Sequence, residues 1–284
     1  MWSQFASQPP LLLGFAVVVG LLVGSFLNVV IVRLPRMMEL EWRRDCAEVQ
    51  DAVSEPSAPF DLARPPSHCP ACGHSIRAWE NIPILSYLWL RGRCAACAVR
   101  IPLRYPLIEA LTALLTLIVV WHFGWSMQMA AALVFTWALI ALAVIDFYTK
   151  LLPDVITLPL VWLGLILSLF GVFVDSETAI IGAVSGYGSF WLLFHLYRLF
   201  TGKEGMGRGD FKLLALFGAW MGWAALPQIV LLSALPGAIV GIGLMVTQRQ
   251  EHQTPIPFGP FLAIAGWISL LWGEAIIQNY LQLV

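Results

Sequence analysis

The sequence predicts an all-α polytopic membrane protein, with about eight transmembrane helices and one small cytoplasmic insert. Three observations lead there. Of 284 residues, 59% are hydrophobic and only 12% charged, too few charges to cover the surface of a soluble domain of this size. The apolar residues gather into long runs. All 16 Lys and Arg residues fall on one side of the alternation that those runs define. The net charge of −1 gives no basic pull toward nucleic acid, so the bilayer is the expected partner and nucleic acid is not.

The runs cover roughly 11–32, 106–123, 127–148, 155–174, 178–200, 212–226, 228–247 and 258–281. Crossing a bilayer core takes about 20 helical residues. The first run has no Lys/Arg-rich segment before it and reads as a retained helix, not a cleaved signal. The 212–226 run is short and merges with its neighbour at Pro227, so a hairpin there gives eight spans and a single crossing gives seven. Ten basic residues lie between Arg33 and Arg104; Lys150, Arg198, Lys203, Arg208, Lys212 and Arg249 complete the set. The positive-inside rule makes that side cytoplasmic, with both termini on the opposite side, the periplasm of a Gram-negative cell.

Residues 1–32 are thus the first transmembrane helix, 33–105 a cytoplasmic loop, and 106–284 the remaining membrane core. Within the loop, 37–67 is mixed in charge and then rich in Pro and Ser, and reads as weakly ordered or partly helical. Residues 68–105 have aromatic and apolar residues of their own and read as a compact module.

That module holds Cys69-x2-Cys72 and Cys94-x2-Cys97. A Cys-x2-Cys turn aims two thiolates at one ion, and two such turns complete a tetrahedral zinc site. PACGH and RGRCAAC resemble the knuckles of a zinc ribbon, so this is a zinc-ribbon-like insert whose four-thiolate ion is structural. Two disulfides are the competing reading, disfavoured in a reducing cytoplasm. His68 and His74 flank the first knuckle and read as bystanders.

Ionisable groups in apolar helices are functional candidates by default, because each costs several kcal/mol unless paired or wet. Asp146 closes the third run, Asp154 precedes the fourth, and Asp210 opens the sixth inside GMGRGDFK (205–212). Asp146 and Asp210 meet the membrane at the same predicted face. Two carboxylates brought together share a proton; one then activates a water while the other donates to a carbonyl oxygen. Gly205, Gly207 and Gly209 lack Cβ atoms and allow close approach and unusual dihedrals around Asp210. Other readings stay open: Asp154 or Asp210 as a helix N-cap, Lys212 as an interfacial partner of Asp210, and Glu109 paired with Arg104. A transporter with the two acids as an ion site, or a scaffold built on the cysteine module, are the rival functions. Transport sites usually lie near the midplane between repeats, and no repeat is evident here.

In order and spacing, GSFLNVVIVRLP (24–35), the two cysteine pairs, RIPLRYPLIE (100–109), IDFYTKLLPD (145–154) and GMGRGDFK resemble the type IV prepilin peptidases. These prepilin leader peptidase/N-methyltransferases share the GxGD signature, here Gly207-Arg208-Gly209-Asp210, with presenilin-type aspartyl proteases. The resemblance implies a bacterial inner-membrane aspartyl protease with Asp146 and Asp210 catalytic and Gly205, Gly207, Gly209, Lys212 and Asp154 supporting. It implies prepilins and pseudopilins of type IV pili and type II secretion as partners, cut on the cytoplasmic side after a Gly that ends a short basic leader. It further implies S-adenosylmethionine as donor for N-methylation of the new terminus, often Phe. No dinucleotide-type glycine motif marks the donor site; Gly92, with Arg91, Arg93 and Glu109, is the patch we expect to serve it.

Overall fold

The computed structural model describes residues 9–49, 60–248 and 257–283. It is all-helical: each of the eight apolar runs contains helix, although the 155–174 run outlasts its helix at Ser168 and the 212–226 run is broken at Gly222, and the described residues form no strand, only two isolated β-bridges. Among the described residues six helices are long and apolar enough to cross a membrane, and one shorter apolar helix spans Asp154–Ser168. Two compact units divide the chain, Met1–Trp125 and Ser126–Val284.

In the first unit, α1 (Pro9–Val49) packs along α3 (Arg104–Phe123), with the short α2 (Leu85–Trp89) between them in sequence. The α1–α3 contact is close because glycines recur one turn apart. A Cβ on Gly20 would lie 2.6 Å from the Ala113 Cα, and one on Gly24 2.7 Å from the Glu109 Cα. Small residues let helix backbones approach in this way where no hydrophobic drive operates between helices. One turn further, Asn28 donates to the Gly24 and Tyr105 carbonyls (3.2 and 3.1 Å), tying the two helices together.

α1 runs well past the apolar segment that ends at Val32, through Pro35 and on to Val49. Arg43 pairs with Glu39 one turn back, the i,i+4 contact that supports a solvated helix. Of the two readings of the 37–67 stretch, the partly helical one holds for its start. Residues 37–49 are helix, and Arg33 fastens the segment after it by donating to the carbonyls of Asp61, Leu62 and Pro65. Residues 50–59 of that stretch, Arg249 and the N-terminal residues before Pro9 lie outside the described residues.

The second unit comprises α4 (Met127–Thr149), α5 (Asp154–Ser168), α6 (Ser176–Thr201), α7 (Arg208–Met221), α8 (Leu226–Gln248) and α9 (Gly259–Leu283). Its centre is α7, the short run whose status was open. It packs against α5, α6 and α9, and Leu213, Leu214, Leu216, Phe217 and Ala219 are fully buried. A helix that is hydrophobic all round belongs in a core. Gly182 of α6 and Gly218 of α7 meet backbone to backbone. Trp220 is buried, lies tilted against Phe135 (ring centroids 4.7 Å) and donates to the Leu160 carbonyl (2.8 Å). Trp267 of α9 donates to Thr136 of α4 (3.0 Å).

Candidate active site and thiol cluster

The carboxylate site stands on helix ends of the second unit. Asp146 lies in the last turn of α4, which Lys150 terminates in the left-handed region (φ 58°), its N–H returning to the Asp146 carbonyl (2.8 Å). Asp210 lies in the first turn of α7, three residues after the N-cap Gly207. Both side chains are buried, and both line one cavity of about 230 Å³ with Lys150, Leu151, Leu152, Asp154, Gly207, Arg208, Gly209 and Lys212. The two carboxylates thus line the same space from the ends of two different helices. A liquid water occupies about 30 Å³, so the cavity has room for a water and a short stretch of extended backbone.

Around the pair, Lys212 donates to both oxygens of Asp154 (2.7 Å each), joining the start of α5 to α7. This settles two open readings. Pro153, not Asp154, is the N-cap of α5, and Gly207, not Asp210, caps α7; Lys212 serves Asp154. None of the three glycines of GMGRGDFK has a positive φ, and Gly205 and Gly209 work by closeness, whereas Gly207 has ordinary room for a Cβ. A Cβ on Gly209 would lie 2.8 Å from the Leu152 Cβ, one on Gly205 2.7 Å from the Tyr197 ring, and one on Gly207 3.4 Å from the Asp210 carboxylate.

In the first unit, the four sulfurs of Cys69, Cys72, Cys94 and Cys97 lie within 4.8 Å of one another. The nearest pairs, Cys69–Cys97 (3.8 Å) and Cys72–Cys94 (4.0 Å), are far beyond the roughly 2.05 Å of a disulfide. The two knuckles are built alike. In one, Cys69 N–H donates to the His74 carbonyl and Gly73 N–H to Cys69; in the other, Cys94 N–H donates to Val99 and Ala98 N–H to Cys94. A bridge closes each, His68 to Ser75 and Arg93 to Arg100.

Backbone N–H groups of Ala71 and Cys72 draw the Cys69 thiol down to about 7, and those of Cys97 and Ala96 lower Cys94. The His74 N–H acts on Cys72 in the same sense. The neighbouring thiols, Cys97 first, together with burial outweigh it and push Cys72 up to about 12. The four sulfurs together could hold a metal ion. His74 turns to Glu80 instead (3.1 Å), and His68 to the Pro66 carbonyl (3.0 Å).

Residues 18–123 match the Bacterial Peptidase A24 N-terminal domain, and residues 133–242 match the Type IV leader peptidase family. The chain is 54% identical over 281 residues to a prepilin leader peptidase/N-methyltransferase of Pseudomonas aeruginosa, covering 99% of this chain and 97% of the relative. It is 52% identical over 284 residues to that of Pseudomonas putida (100% and 99% covered) and 53% over 266 residues to that of Aeromonas hydrophila (92% and 91%). The chain belongs to the type IV leader peptidase family. The resemblance drawn from its motifs is thereby borne out. No solved structure gives a significant match.

Of the patch expected to hold a methyl donor, Arg91, Gly92 and Arg93 line a hollow of about 630 Å³ with Tyr87, Arg100, Ile101, Pro102 and Leu103. Glu109 does not line it. Its buried carboxylate accepts the Ile84 N–H (2.8 Å), and the Arg104 guanidinium lies over the Tyr105 ring.

Sequence reasoning missed one contact at the carboxylates. Gly259, the first residue of α9, donates its N–H to Asp146 Oδ2 (3.0 Å). The only sequence signal is PFGP (257–260), a glycine between prolines at the head of an apolar run.

Proposed function

We propose that this chain is a membrane aspartyl endopeptidase that removes the leader of prepilins and then N-methylates the amine it exposes. One observation carries the reading: Asp146 and Asp210, distant in sequence, line one cavity in a chain whose relatives over nearly their full length are prepilin leader peptidase/N-methyltransferases.

The mechanism follows from a pair of carboxylates sharing one proton. A water between them attacks the carbonyl carbon of the residue that ends the leader. One carboxylate takes the water's proton, and the other gives its own to the carbonyl oxygen. The tetrahedral diol collapses as a proton passes to the amide nitrogen. The C–N bond breaks, leaving a carboxyl on the leader and a free amine on the pilin. Burial of both acids strengthens each of these interactions. The basic loops put this end of the second unit at the cytoplasmic face, where a basic leader remains while the pilin's apolar helix lies in the bilayer.

The donor set of the thiol cluster suits zinc, with four thiolates closing the coordination shell. Such an ion holds the two knuckles together and takes no part in the cleavage. S-adenosylmethionine, when bound, supplies the electrophilic methyl group. The hollow at Arg91–Leu103 has the volume of a small-molecule site, about 300–1,000 Å³. Its guanidinium groups suit the donor's carboxylate, and Tyr87 offers an aromatic ring.

The test is to incubate the purified enzyme with a prepilin and S-adenosylmethionine, then measure the intact mass and N-terminal sequence of the product. Loss of the leader with gain of one methyl mass is the expected result. An uncut precursor overturns the reading.

A further inference from the structure

We propose that Gly259 is a positioning residue of the active site: its backbone amide holds the Asp146 carboxylate in the cavity and stabilises the single negative charge that the aspartate pair must carry. This rests on the reading of Asp146 and Asp210 as that pair.

Asp146 stands at an awkward place for an anion. It is in the last turn of α4, where carbonyl groups without helical partners make the negative pole of the helix. The start of α9 supplies the opposite. The first N–H groups of a helix have no partner inside it, and that of Gly259 is aimed at Asp146 Oδ2 at 3.0 Å. A hydrogen bond from an amide to an ionised carboxylate is roughly twice as strong as one between neutral groups. Pro260 has no N–H to offer, which leaves Gly259 to make the contact.

The amide is held in place. Leu262 closes the first turn on the Phe258 carbonyl (3.1 Å) and is fully buried. Phe258 packs against Phe190 of α6. The residue type is dictated by contact: a Cβ on Gly259 would lie 2.6 Å from Asp146 Oδ2 and 2.9 Å from its Cγ. Any side chain there displaces the carboxylate. The site therefore has a third arm, contributed by a helix that bears neither acid.

The charged groups around the pair are Lys150 at the end of α4, Arg208 at the start of α7, and the Asp154–Lys212 pair. None of them is altered by a change at Gly259. The titration of a coupled pair is a property of both members. Weakening a donor to its monoanion therefore raises the pH at which that monoanion forms.

The experiment uses the full-length enzyme carrying Gly259→Ala, with prepilin as substrate. Displacement of the carboxylate by about 1 Å lowers kcat about 100-fold. KM stays near its original value, because the contact binds no substrate. The acid limb of the kcat/KM profile moves up by about one pH unit, the equivalent of about 1.4 kcal/mol. The melting temperature serves as the report on folding and stays unchanged. A second measurement does not depend on that variant folding: in Asp146→Ala, hydrogen exchange of the segment holding Gly259 accelerates while α7 remains protected.

Wild-type kcat with an unmoved acid limb overturns the proposal, as does a loss of cleavage that a lowered melting temperature accounts for, which would assign Gly259 to folding. Unchanged exchange in Asp146→Ala overturns it too. If Asp146→Asn is inactive while Gly259→Ala is normal, the aspartate pair stands and only the role of Gly259 falls. If Asp146→Asn still cleaves, the pair itself is wrong.

Discussion

The thiol cluster and the carboxylate pair are built in opposite ways. Each half of the cluster is a local turn, with two cysteines separated by two residues and hydrogen bonds that close within a few residues of them. The carboxylate pair has no such local frame. Asp146, Asp210 and the Gly259 amide come from three helices, and only the packing of the second unit brings them to one cavity. A site of the first kind survives changes elsewhere in the chain. A site of the second kind is as stable as the core beneath it.

Trp220→Ala sharpens this difference most. Its ring fills the centre of the second unit among Phe135, Phe173 and Leu160, at 1% exposure. Removing a large buried aromatic costs about 3–5 kcal/mol. Cleavage should fall with the melting temperature, while bound metal stays at one per chain. Metal analysis beside a thermal unfolding curve checks both; loss of metal in this variant would break the distinction.

Cys72→Ser is the reciprocal change. It opens the four-thiolate shell, so bound metal should fall from one per chain to none on elemental analysis. The second knuckle also frames the hollow through Arg93 and Arg100. Methyl transfer should therefore drop by about 10- to 100-fold, the usual cost of disturbing a metal site's surroundings. Cleavage should change far less. Equal losses of the two activities would show that the thiol cluster serves both.

Lys212→Met carries the smallest effect. The Lys212–Asp154 pair is half-exposed, and such pairs contribute about 0–1 kcal/mol. An effect of that size changes cleavage by no more than about fivefold. A larger loss would mean that the cation acts on the reaction, not merely on the wall of the cavity.

The same contrast explains what the sequence could reveal. The cysteine spacing shows the cluster because its geometry is local. Asp146 and Asp210 stand out because acids are rare in apolar runs and costly there. Among the described residues the apolar segments mark every α-helix but the short α2, since hydrophobicity is a property of each run alone. Hidden from that reading was everything set by partners. Trp220 looks like any other tryptophan until α5 supplies the Leu160 carbonyl. The 212–226 run is short and merges with its neighbour, and only its burial shows it to be the centre of the second unit. Residues 37–49 carry no apolar pattern and become helical as the continuation of α1. Gly259 lies more than 100 residues from Asp146, and no local pattern records their contact.

The central claim is that Asp146 and Asp210 act as one catalytic unit. The most direct measurement is kcat/KM for prepilin cleavage by Asp146→Asn and Asp210→Asn, with methyl transfer to a pre-cleaved pilin measured in the same preparations. Loss of an acid–base partner lowers the rate by about 100- to 10,000-fold. The account requires that loss in both variants, with methyl transfer intact. Wild-type cleavage by either variant would contradict it.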